Sequence, residues 1–272
     1  MKNIIIIFFL TTLLQAYYIH DVVKKEKAEQ RVALIIGNNN YTHLEHLKNP
    51  LNDARLMKET LEKGGFSIIY KENAKIRDMK TLLREFTYKI RKGGIGFYYF
   101  AGQSVNVDGK NYLAGIDASL DNKNYINHEA IPLNTIIKKM NKADNRLNII
   151  VSDTCRNTIA LNRFGNNHFG RGVGKGLLSL ANTKDIFIAY STASGEISRD
   201  GTHSSHGILT KYLVKNLQKT GASIKEIFTN LKKDVYKQTK SKKSLDTYHK
   251  IKGDFFFILP VDRKKLKDEM QQ

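Results

Sequence analysis

Cys155 is the only cysteine in the sequence. A single cysteine cannot close an intramolecular disulfide, so its thiol stays free. Taken alone, such a thiol is most often a small buried hydrophobe. To act as a nucleophile it needs a base or ion-pair partner and N–H donors for the oxyanion that forms on an attacked carbonyl. Two segments can supply such parts: Phe97-Tyr98-Tyr99-Phe100-Ala101-Gly102-Gln103-Ser104 and Val151-Ser152-Asp153-Thr154-Cys155-Arg156-Asn157. Histidine is the usual base. His203 and His206 fall in a loop that could approach these segments, but no carboxylate or cysteine cluster completes a metal set around them, and they read as loop residues. His43, His46, His128, His168 and His249 read the same way. The stretch Gly170-Arg171-Gly172-Val173-Gly174-Lys175-Gly176 is not a phosphate loop, because no Ser or Thr follows Lys175 and no strand leads into it.

The elements that must position these residues alternate. Val32 to Ile36 is a continuous apolar run, as expected for a strand buried on both faces. Ala54, Met57 and Leu61 then mark a helix ended by Gly64-Gly65. A strand is predicted over Phe66 to Tyr70, a helix through Met79, Leu83, Phe86 and Ile90, and a strand over Ile95 to Ala101. A polar hairpin follows at Asp108-Gly109, then a helix carrying Leu133, Ile136, Ile137 and Met140, and a strand over Leu147 to Val151. Beyond it come a strand over Ile186 to Tyr190, a helix with Leu209, Leu213 and Leu217, and a helix opened by Ser223 and Glu226 at capping-box spacing. Phe255 to Leu259 reads as the last strand. This pattern predicts an α/β sandwich of three layers, a mostly parallel sheet of about six strands with helices on both faces. Sites in such folds gather beyond the carboxyl ends of strands, and Gln103 and Cys155 follow strands closely.

Of 272 residues, 41% are hydrophobic and 26% charged, which suits one globular domain and argues against disorder. Met1-Lys2-Asn3 and the apolar run Ile4 to Leu14 form an export signal over residues 1–16, with cleavage placed at Ala16. That run is shorter than the ~20 apolar residues of a membrane span; extension to Ile19 leaves an uncleaved anchor as the alternative. The expected location is the periplasm, or the outer side of a membrane. Residues 17–30 read as a linker, 31–262 as the domain and 263–272 as a charged tail. The formal charge of +19 is spread as Lys-rich faces, densest at Lys24 to Lys27, Lys237 to Lys243 and Arg263 to Lys267. It favours anionic partners, a membrane surface among them, but no aromatic-interleaved basic motif argues for a specific nucleic-acid site.

The two chemistry-bearing segments resemble the Ala-Gly-His-Gly strand and the Asp-Ala-Cys-Arg-Asn segment of caspase-like and metacaspase-like cysteine peptidases. The resemblance continues through Arg31 to Asn38, Tyr41, Asn49 to Ala54, Asp108 to Leu113, Ala189 to Ala193, Gly207 to Thr210 and Gly253 to Phe255. It implies a caspase-like fold with Cys155 at the nucleophile position and the N–H groups of Cys155 and Gly102 as oxyanion donors. It also implies that Asp53 and Asp153 bind a basic residue of the substrate. A carboxylate pair suits a guanidinium or ammonium group. Read singly, Asp53 is a helix N-terminal charge and Asp153 a turn residue. The residues imply no cofactor, while calcium enters through the resemblance alone.

One position departs from the pattern. Gln103 stands where the family has its catalytic histidine, and Ser104 replaces the next glycine. An amide cannot take a proton near neutral pH, so it can neither pair with a thiolate nor protonate the leaving amine. The expected function is therefore an exported pseudopeptidase, or a strongly impaired peptidase, that binds basic peptides or partner proteins in an acidic groove. The alternative is an active endopeptidase cutting after Arg or Lys through Cys155, aided by water, by His206 or by another base.

Overall fold

The computed structural model describes residues 29–91, 93–107, 110–156, 185–191, 205–240 and 245–259. The export signal, most of the linker, Asp108-Gly109, the glycine-rich stretch, His168, His203 and the charged tail lie outside these residues.

Strand β1 (Arg31–Gly37) is buried at every position and pairs in parallel with β2 (Ser67–Glu72) and β3 (Ile95–Val107). Strand β6 (Leu147–Arg156) lies parallel to β3 and to β7 (Asp185–Ser191), and β8 (Leu245–Lys250) closes the edge antiparallel to β7. The order is β2-β1-β3-β6-β7-β8. The short β4 (Lys110–Ala114) runs antiparallel to the far end of β3 and carries β5 (Ala130–Pro132), giving eight strands. The expected parallel sheet of about six strands is the main path of this sheet.

Helices cover both faces because every parallel crossover must return over the sheet. Helix α1 (Pro50–Lys63) joins β1 to β2 and α2 (Ile76–Lys89) joins β2 to β3. The one-turn α3 (Ile126–Glu129) precedes β5, and α4 (Leu133–Lys142) leads into β6. Helices α5 (Ile208–Leu217) and α6 (Ile224–Thr239) lie between β7 and β8. Side chains alternate across a strand, so Phe97 and Tyr99 pack with α1, α5 and α6, while Tyr98 and Phe100 pack with α2 and α4. The capping box holds as the sequence predicts: Ser223 N–H donates to Glu226 and Glu226 N–H to Ser223 Oγ.

Two expectations about strands are corrected. The last strand is Leu245–Lys250 and not Phe255 to Leu259, where Phe256 forms only an isolated bridge with Ser223. Arg31 contributes to the difference: its guanidinium donates to the carbonyls of Phe256 and Phe257 and lies over the Phe255 ring, while the carbonyls of Phe255 and Ile258 accept from Ile224 and Gly221 N–H. Phe255 and Phe257 plug the core instead of joining a ladder. The second correction concerns length. β3 and β6 run on together to Ser104 and Arg156, so Gln103 and Cys155 lie inside strands.

Candidate functional site

The site is built where β1 ends and its neighbours continue. Gly37 is level with Ala101, and Ala101 with Asp153. Past that level β3 and β6 continue to pair, setting Gly102 opposite Thr154 and Gln103 opposite Cys155 before β4 joins β3 at Ser104. The chain leaving β1 folds over this pair. Asn38 N–H donates to the Ala101 carbonyl at 2.9 Å, and the fully buried Asn38 amide bridges the carbonyls of Ala74 and Ala114. Tyr41 then points inward, and its hydroxyl accepts the Gln103 backbone N–H at 2.7 Å. A Cβ on Gly102 would lie 2.6 Å from that hydroxyl and 2.9 Å from the Phe100 ring, so only glycine allows this approach.

Gln103 is 2% exposed, and its Nε2 donates to the Glu45 carbonyl at 3.1 Å. Its Oε1 is buried and has no hydrogen-bond partner among the described residues. The side chain is thus anchored as a donor on one side and presents an acceptor on the other. It offers no base.

Asp53 and Asp153, one hundred positions apart in sequence, meet at the start of α5. Asp53 sits in the first turn of α1, 3% exposed, and its Oδ1 accepts the Gly207 N–H at 2.9 Å. Asp153 is a β6 residue, correcting its reading as a turn; its Oδ2 accepts from Thr210 N–H at 3.2 Å and Thr210 Oγ1 at 2.7 Å. A Cβ on Gly207 would be 3.0 Å from an oxygen of each carboxylate, so those oxygens are at most about 6 Å apart. The first turn of a helix has free N–H groups and a partial positive charge, which is why carboxylates settle there. Tyr99 completes the cluster through a 2.5 Å hydrogen bond with Thr210 Oγ1.

Burial is the larger force on these groups. It pushes Asp53 up to about 8, with the Asp153 charge adding to the rise and the Gly207 N–H opposing it. Burial also raises Asp153, against the two donors of Thr210. His206 lies with Nδ1 3.3 Å from Asp53 Oδ1. Burial, and then the charge of Lys211, lower it below the ordinary histidine range. Which of the two donates in this contact is set by the imidazole tautomer.

The sequence-derived candidates fall into two groups. Gln103, Gly102 and Cys155 share the extended β3–β6 ladder, and Asp53 and Asp153 form a carboxylate pair at the start of α5. His206, read from sequence as a loop residue, approaches Asp53. Gly207, Thr210 and Tyr99 were not singled out as pocket residues. The signal available was a helix start at Gly207 with no capping side chain of its own. His43, His46 and His128 are exposed, while His249 is a β8 residue whose ring stacks on Phe187. Calcium takes six to eight oxygen ligands. Among the described residues no three His, Cys, Asp or Glu side chains gather as a metal site, and one oxygen of each carboxylate in the Asp pair accepts hydrogen bonds.

The family model described as Caspase domain matches residues 30–256. The chain belongs to the caspase domain family. It is 26% identical over 192 residues to the human "Mucosa-associated lymphoid tissue lymphoma translocation protein 1", an alignment covering 70% of this chain and 22% of the human protein. The mouse homolog matches with the same identity and coverage. The chain thus spans about a fifth of the length of these relatives. This caspase domain has the fold of a cysteine-peptidase family.

Proposed function

We propose that this caspase domain is a receptor for basic side chains, with peptidase turnover strongly reduced by Gln103. The observation that carries this reading is the convergence of Asp53 and Asp153 on Gly207. Two carboxylates held this close repel each other and retain a proton. An arginine or lysine side chain relieves that repulsion by charge-assisted hydrogen bonds. Beside this pocket, Gln103 supplies an amide that cannot exchange a proton with Cys155 or a leaving amine. Loss of acid–base help costs about two to four orders of magnitude in rate. The polypeptide start read as an export signal makes exported proteins or peptides the natural partners in this proposal.

Turnover of a fluorogenic Arg peptide and binding of the corresponding uncleavable peptide test it together, using wild type, Cys155→Ala and Gln103→His. Wild type and Cys155→Ala are expected to bind equally, with wild-type turnover at least ~100-fold below that of Gln103→His. Rapid wild-type cleavage that disappears in Cys155→Ala overturns the proposal in favour of an active endopeptidase.

A further inference from the structure

Arg77, Lys80 and Arg84 stand at i, i+3 and i+7 of α2, so they form one stripe about 10 Å long on a single helix face. Lys139, in the last turn of α4, faces them across a cleft of about 710 Å³. Ile76, Leu83, Ala130 and Ile131 line its apolar parts, and Thr81, Asn127 and Thr135 add polar ones. This cleft lies on the α2/α4 layer, across the sheet from the Asp pair.

No acidic residue lines it among the described residues. The nearby acidic groups already have partners, Asp117 among them, whose Oδ1 accepts the N–H of the cleft residue Ile76 at 2.9 Å. Asp78 accepts the Lys75 N–H, Glu85 pairs with Lys89 at 2.9 Å, and Glu129 accepts from Ser119 and Leu120. Lys80 Nζ donates to the Asn127 carbonyl and Arg84 to Thr81 Oγ1, contacts that position the cations without neutralising them. Four like charges in one concavity focus a positive potential there.

We propose that the cleft binds an extended acidic segment of a partner protein. Alternate side chains of an extended chain are about 7 Å apart, so two same-side carboxylates fit along the 10 Å stripe while the intervening side chains meet the apolar lining. Single-stranded nucleic acid is disfavoured because no aromatic residue lines the cleft to stack a base. A bilayer is disfavoured because the cations line a concavity and not a flat face.

Anisotropy of a fluorescein-labelled decapeptide of alternating Glu and Leu, titrated with the full chain, tests the proposal. Wild type is expected to bind, and Arg77→Gln with Arg84→Gln to bind about tenfold more weakly. Lys225→Gln with Lys232→Gln removes two exposed charges from α6 on the other layer and is expected to bind as wild type. Far-UV circular dichroism verifies that both double variants retain the fold. Equal weakening by the two double variants overturns the proposal, because net charge then explains the binding. No binding by wild type overturns it too. So does a cleft-dependent preference for an oligouridylate or for phosphatidylglycerol vesicles over the peptide.

Discussion

The Asp53–Asp153 pair lies between α1, β6 and α5, and the basic cleft between α2 and α4 on the opposite layer of the same sheet. The pair buries Asp53 and half-buries Asp153, and replaces the lost hydration with Gly207 N–H and both donors of Thr210. The cleft leaves its cations in water and supplies only a carbonyl and a hydroxyl as partners. Few charges, buried, are strongly coupled to the fold; more charges, exposed, are coupled to it weakly. Stability should therefore respond to pocket substitutions and pH, and ligand binding alone should respond to cleft substitutions.

The largest expected effect separates the two regions by pH. The folded Asp53 holds its proton up to about pH 8, against 3.8 as the ordinary value, so the folded state binds that proton more tightly than the unfolded one. Its contribution to stability is complete below about pH 4 and is lost as pH rises through 8. Between about pH 5 and pH 9 the wild type should lose a few kcal/mol relative to Asp53→Asn, read from urea unfolding at each pH. Parallel pH profiles for the two proteins would show that the carboxyl is not held protonated.

A smaller effect is expected at Gly207. The methyl group in Gly207→Ala meets both carboxylates at 3.0 Å and must displace them by a few tenths of an ångström. The expected cost is about 1 kcal/mol in unfolding free energy, together with weaker binding of the Arg peptide and unchanged binding of the acidic peptide. Weakened binding of both peptides would mean that the two regions are coupled through the sheet. The smallest effect belongs to the cleft: Arg77→Gln with Arg84→Gln should shift stability by no more than about 0.5 kcal/mol. A larger loss, measured by the same unfolding, would mark these arginines as structural.

Most of the scaffold is legible in the sequence because it rests on local patterns. Continuous apolar runs marked the buried strands β1, β3, β6 and β7, and helical spacing marked α1, α2, α4, α5 and α6. The misread places are those where a distant group decides. Phe255 to Leu259 has strand composition, yet Arg31 takes the carbonyls of Phe256 and Phe257 while Phe255 and Ile258 accept from Ile224 and Gly221, and the edge goes to Leu245–Lys250. The ends of β3 and β6 run beyond their apolar cores because each continues to pair with the other, and polar letters such as Gln103 do not interrupt that ladder.

Residue types alone determined that the chain has one thiol, that position 103 cannot act as a base, and that the chain carries a large positive charge. Motif order pointed to the caspase family, to Cys155 and to the candidates Asp53 and Asp153. Only the tertiary structure decided that those two carboxylates share the start of α5, that His206 joins Asp53, and that four cations line a cleft free of acidic side chains among the described residues. The physical reason is that electrostatic environment depends on distance and burial between segments far apart in the chain. Sequence names the charged groups, and the fold sets how strongly they act on one another.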